Sequence, residues 1–158
     1  MLQRRRASSP KSVAPACRAL ILARRIQPGI EMTRKYIVEV DGVPVSPSPI
    51  SNAVVVGNTC WISGQLSVGE SGYIPGTARE EAEIAFAHVF RIAEAAGFSR
   101  TEIVYVDLAF ADLDDLPEVN ALYETLFEPG RRPARTIYQA ARLPFGGKVK
   151  VQAIAAKG

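Results

Sequence analysis

Residues 77–112 read TAREEAEIAFAHVFRIAEAAGFSRTEIVYVDLAFAD, and the change of rhythm inside them sets the fold class. The first four residues form a capping box, in which the Thr77 hydroxyl accepts from the Glu80 backbone and the Glu80 carboxylate reaches back. Apolar residues then recur at Ala82, Ala85, Phe86, Val89, Ile92, Ala93 and Ala96, the spacing of one helical face. This predicts a helix over about residues 77–96, stopped by Gly97. Past it the period drops to two. Glu102–Asp112 reads as the longest strand, with Val104, Val106, Leu108 and Phe110 expected on one face.

Downstream, Asp114 or Asp115 is placed to cap a second helix, with Pro117 in its first turn and Val119, Tyr123 and Leu126 on its buried stripe. Two strands close the chain, Arg135–Arg142 and Lys148–Ala156, around the turn Leu143-Pro144-Phe145-Gly146-Gly147. Upstream, Arg34–Val40 alternates like a strand and Asp41-Gly42 is a hairpin turn signal. Strands are expected near Ala53–Val56 and Thr59–Ser63, joined by Gly57-Asn58 and followed by a glycine-rich loop over residues 69–76. The order ββ(β)αβαββ implies an α+β unit: a mixed sheet with two helices on one face. The other face is expected to carry Ile103, Tyr105, Ala109, Ile137 and Ala141, too apolar for water, so further copies of the chain are its expected cover.

The 158 residues fit one domain, and 47% hydrophobic with 22% charged residues is an ordinary soluble composition. The longest apolar runs, such as residues 53–57, are strand-length, so no membrane span is expected. Two cysteines, Cys17 and Cys60, make no disulfide framework and fit a reducing, cytoplasmic setting. The net charge of +3 divides unevenly: residues 1–31 carry seven basic residues against Glu31 alone, whereas residues 32–158 carry 12 basic and 15 acidic ones. The acidic body argues against nucleic acid as a partner. The first 31 residues lack strand or helix periodicity and are read as a disordered or non-native extension, although an Arg-rich, acid-poor stretch also fits a transit peptide. The folded domain is expected over residues 32–158.

A chain with a single histidine cannot build a His-rich metal site, and no metal or cofactor is expected. His88 falls mid-helix, where a packing or hydrogen-bonding role is favoured over catalysis, and no serine stands out as its nucleophile. Glu80, Glu81 and Glu83 behind the glycine-rich loop would repel a phosphate. The stretch that stands apart is Arg131–Arg135, RRPAR, leading into apolar strand residues. An arginine there either meets an anion, which its planar fork matches, or is salt-bridged or left at the surface. The residues alone leave both open.

Six short motifs then fall in register: Ser63-Gly64-Gln65 after a strand, Glu94-Ala95-Ala96-Gly97 closing a helix, Val119-Asn120 with Tyr123 and Phe127 on the second helix, Pro133-Ala134-Arg135, Leu143-Pro144, and Ala153-Ile154-Ala155. In this order and at nearly this spacing, over about residues 45–156, the chain resembles the RidA (YjgF) family. The resemblance implies a chorismate-mutase-like fold, a homotrimer with a central β-barrel, and ligand clefts between subunits. It implies that Arg135 holds a substrate carboxylate, that Ser63 and Gly64 line the cleft, and that Asn120 is the family's helix asparagine. A strand glutamate then positions the water that hydrolyses an imine acid to a keto acid and ammonia, and a tyrosine closes the pocket.

At those last two places the chain departs from the family, with Lys150 at the glutamate position and Ile50 at the tyrosine position; Ile137 stands where a small polar or sulfur-bearing residue is common. An ammonium in place of a carboxylate removes the acceptor for water's proton. Lys150 is open to three accounts: a second charge beside Arg135 for a doubly anionic ligand, a nucleophilic amine, or a solvated strand residue. Asp107 is the best substitute base, with pairing to a neighbouring cation as its plainer reading. The expected function is therefore an enamine/imine deaminase-like hydrolase of a small carboxylate metabolite with an atypical site. The alternative is a non-catalytic trimer that binds a small anionic metabolite. The endoribonuclease activity for which this family is often labelled is disfavoured by the acidic body.

Overall fold

Both halves of the expected capping box are present: Thr77 Oγ1 accepts from the Glu80 N–H at 3.2 Å, and the Thr77 N–H donates to Glu80 Oε2 at 2.8 Å. They start α1, Ala78–Ala95, whose Ala82, Ala85, Phe86, Val89, Ile92 and Ala93 are fully buried. Gly97, at a φ of +90°, turns the chain out of the helix in the left-handed region that glycine enters without strain. The structure is a computed structural model that describes residues 33–158. The extension expected over residues 1–31 lies outside the described residues, as does the expected start at Met32.

The strands are β1 Arg34–Ile37, β2 Ala53–Val56, β3 Thr59–Gln65, β6 Ile103–Phe110, β7 Ala134–Gln139 and β8 Val149–Ala156, ordered β1-β2-β3-β8-β6-β7 in one sheet. Only β6 and β7 run parallel, and the helix α2, Leu116–Leu126, makes the crossover that a parallel pair requires. The glycine-rich loop holds its own two-residue strands, β4 Val68–Gly69 and β5 Gly72–Tyr73. Both helices lie on one sheet face, so the expected mixed α+β architecture is what the chain adopts. Between them an aromatic cluster closes the core: Phe86 packs on Tyr123 at 5.9 Å and Phe90 on Phe127 at 5.9 Å between ring centroids. Cys60 is a core residue of β3, fully buried, its thiol pushed up to about 11 by burial.

Three local expectations are corrected. A β-bulge against β8 shifts the register between Ile103 and Tyr105, so Ile103 turns into the core and Val104 out, 46% exposed, reversing the places expected for them. Ile137 pairs with Leu108 and packs against the helix-side core rather than on the open face, and Ala141 lies beyond the end of β7. Neither Asp114 nor Asp115 caps α2 with its side chain. A 3₁₀ turn, Leu113–Asp115, precedes the helix, and Asp112 caps that turn by accepting from the Asp114 N–H at 3.0 Å. The open face does carry apolar and aromatic groups, in register Tyr36, Val54, Trp61, Ile154 and Tyr105, with Tyr138 one strand further; Tyr36 and Trp61 are more than half exposed.

Glu81 in α1 is 1% exposed and ties separate segments together. Its carboxylate accepts from the Tyr73 hydroxyl, from the Lys148 N–H at 2.8 Å and from the Gly76 N–H at 3.4 Å. The Tyr73 phenol is pushed up to about 12, by burial first and then by this carboxylate. Replacing Glu81 with alanine strands these donors, so Glu81→Ala is expected to cost about 3 kcal/mol in urea unfolding, with Glu81→Gln losing less because its amide oxygen still accepts.

Candidate functional site

Register decides which way Arg135 points. It lies opposite Val106, a buried residue of β6, so its side chain belongs to the helix side of the sheet. There the guanidinium carbon lies 4.5 Å above the centroid of the Tyr123 ring, a stacked cation–π contact. Asn120, Tyr123 and Glu124 stand three and four residues apart on α2 and so share one face. Together with Arg132, Pro133 and Arg135 they line a cavity of about 320 Å³.

Two polar atoms in this cavity's wall lack partners: Asn120 Oδ1 and the Tyr123 hydroxyl are both buried with no hydrogen bond among the described residues. A buried polar atom left so costs stability, and native proteins tolerate few of them. Burial raises the Tyr123 phenol, and the charges of Arg135 and Arg132 pull it partway back, so both guanidiniums act on the same hydroxyl.

Ile50 and Gly64 line a different cavity, of about 70 Å³, walled also by Pro44, Pro47, Leu66 and Phe145, with Asn52, Gln65 and His88 as its buried polar groups. Ser63 sits at a bulge in β3, and its hydroxyl is committed to the chain, donating to the Ser51 carbonyl at 2.7 Å. Lys150 crosses Gly64: a Cβ added there would lie 3.0 Å from the ammonium nitrogen and 3.2 Å from Cδ. His88 is only 7% exposed and is packed within α1, the role expected of it, yet it also lines this cavity.

Lys150 pairs with Ala109 and therefore faces the open side of the sheet, opposite to Arg135. Within one protomer the two cations cannot meet on a ligand. Asp107 shares the open face with Lys150 one pair away, and its charge, after burial, raises the phenol of Tyr138 on the neighbouring strand. The candidate residues thus fall into three groups: Arg135 with Asn120; Ile50, Ser63 and Gly64 with Lys150; and Ile137, which packs in the core. Among the described residues no three His, Cys, Asp or Glu side chains are placed to hold a metal ion. Sequence reasoning missed Arg132 and the Tyr123 hydroxyl. The doubled arginine of RRPAR was the available signal for the first, while an aromatic on a helical stripe reads as core.

Known proteins match the chain over this region. The profile of the family described as Endoribonuclease L-PSP matches residues 43–157. A 2-iminobutanoate/2-iminopropanoate deaminase of Bos taurus is 38% identical over 126 residues, covering 78% of this chain and 91% of that protein. The protein named mmf2, mitochondrial, of Schizosaccharomyces pombe is 31% identical over 124 residues, covering 73% and 98%. The crystal structure of RidA from an Antarctic Psychrobacter, strain PAMC 21119, superposes with a TM-score of 0.72 at 32% identity, over 78% of this chain and 100% of that one.

Two outcomes follow from the Lys150 and His88 geometry. Because a lysine tail can swing aside, Gly64→Ala should cost less than about 1 kcal/mol in stability. It should nonetheless reproduce the ligand-binding or kinetic effect of Lys150→Ala, and the double variant should add nothing. Burial first, and the Arg91 charge with it, hold the His88 imidazole below its ordinary 6.5 against the opposing pull of the Leu66 backbone. The unfolded chain then binds a proton that the folded one refuses, so stability falls as pH drops through that value, by at most about 1.4 kcal/mol per pH unit. His88→Asn, which keeps a donor for a carbonyl, should flatten that slope in denaturation series between about pH 7 and 5.5.

Proposed function

Because the chain belongs to the RidA (YjgF) family, whose profile is described as endoribonuclease L-PSP, we propose that it hydrolyses small imine acids to keto acids and ammonia. The observation that carries this reading is the half-buried Arg135 guanidinium on the Tyr123 ring, beside an Asn120 oxygen that no described residue satisfies. A carboxylate fits the guanidinium fork, and a ligand N–H fits Asn120.

In this reading the carboxylate docks on Arg135 and sets the imine carbon toward a water molecule. Water's oxygen attacks that carbon while a base takes its proton. That proton passes to the imine nitrogen to give a carbinolamine, whose hydroxyl then loses its own proton to the nitrogen as the C–N bond breaks, so ammonia leaves and the keto acid remains. Lys150 stands at the family's glutamate position, so the base is a different group. Asp107, on the same sheet face one pair away, is the proposed acceptor.

Arg135 and Lys150 lie on opposite faces of one sheet, which favours a cleft assembled from two protomers of a homotrimer with its exposed aromatic sheet faces turned inward. The proposed setting is the cytoplasm; no helix among the described residues is long and apolar enough to cross a membrane. Twelve basic against 15 acidic residues over 32–158 weigh against an RNA substrate.

A second reading, capture of a small anionic metabolite without chemistry, is favoured by the ammonium at position 150. Generating 2-aminoacrylate from serine with a dehydratase and following keto-acid release separates the two. The hydrolase reading expects release faster than in buffer, lost by at least about tenfold in kcat/KM in Arg135→Ala. Release no faster than buffer, with saturable ligand binding that Arg135→Ala abolishes, leaves only capture.

A further inference from the structure

The cavity over Tyr123 contains more than one carboxylate needs. A single carboxylate uses the Arg135 fork, and one N–H uses Asn120 Oδ1, which leaves the Arg132 guanidinium and the buried Tyr123 hydroxyl unemployed in the same wall. Tyr123 is 4% exposed, so bulk water does not supply the missing partner. Both guanidiniums bear on its oxygen, which places two positive charges around one hydroxyl donor. Glu124, also in the lining, is exposed, so its opposing charge is screened by solvent.

We propose that Arg132 and Tyr123 form a second anion subsite, so that the preferred ligands are small imino or amino acids bearing two carboxylates. This rests on the reading of Arg135 as a carboxylate anchor and adds the substrate class. The two acid groups divide between the arginines, the Tyr123 hydroxyl donates to the second carboxylate, and the ligand nitrogen donates to Asn120. A volume of about 320 Å³ accommodates an acid of four or five carbons. Both guanidiniums, the Tyr123 hydroxyl and Asn120 Oδ1 then each have a partner of the right sense.

Calorimetry on the full chain with two stable probes, 2-oxoglutarate and 2-oxobutanoate, tests this. The unmodified chain should bind the dicarboxylate at least about tenfold more tightly. Arg132→Ala, at an exposed position, should collapse that ratio toward one. Tyr123→Phe keeps the ring beneath Arg135, so it should lower dicarboxylate affinity several-fold with no loss of thermal stability, since it removes an unsatisfied buried group. Equal affinity for the two probes, or a ratio that Arg132→Ala leaves untouched, overturns the second subsite; if Arg135→Ala still abolishes binding, the carboxylate anchor stands. Failure of either probe to bind, with Arg135→Ala indistinguishable from the unmodified chain, removes the anchor and the subsite together.

Discussion

The pleat of a β-strand allows each side chain one face only, and the pairing of β6 with both β7 and β8 sets that choice for Arg135, Ile137, Lys150 and Asp107. It sends Arg135 and Ile137 to the helix side with Val106 and Leu108. It sends Lys150 and Asp107 to the open side with Tyr105. A one-residue slip would exchange the two sets and place a guanidinium where α2 offers no ring to stack on it. The core holds the register in place: Val149, Val151, Ala153 and Ala155 are fully buried, so a slip of β8 would exchange them for Lys150 and Gln152.

Buried polar groups divide into those the fold has satisfied and those it has not. The Glu81 carboxylate accepts from three donors, two in the glycine-rich loop and one just before β8. Asn52 Nδ2 donates to the Val38 carbonyl at 2.8 Å, and Ser67 Oγ to the Ile74 carbonyl at 2.7 Å. Asn120 Oδ1 and the Tyr123 hydroxyl differ: both are buried, both are unpaired among the described residues, and both line a cavity with two arginines. Buried polar groups are as a rule paired, so these two atoms stand apart from the rest.

Ordinary packing explains why Gly64 and Lys150 go together. The lysine stem crosses the strand where a Cβ would stand, so the ammonium and the missing side chain at position 64 are one feature. A carboxylate at position 150 would have a shorter stem and the opposite charge, so the lysine alters both the shape and the electrostatics of that corner.

Local chemistry made much of this fold readable in advance. The Thr77–Glu80 box, the glycine at 97 and the apolar spacing between them are short-range signals, and α1 follows them. Ile103 and Val104 are both β-branched, so alternation could not say which one turns inward; the bulge against β8 did. Three aspartates near α2 compete as caps, and an added 3₁₀ turn selected Asp112. Arg135 was legible as a charge entering an apolar strand, because such a charge needs a partner if the fold buries it. Amino-acid order alone therefore determined the main elements and the α+β class, each a matter of neighbours along the chain, and singled out Arg135 as a charge entering an apolar strand. Tertiary structure decided that Arg135 and Lys150 are separated by a sheet, and that Tyr123, its hydroxyl unpaired among the described residues, lines one cavity with Arg132. Those relations depend on strand register and helix docking, which bring together residues whose spacing along the chain carries no record of the contact.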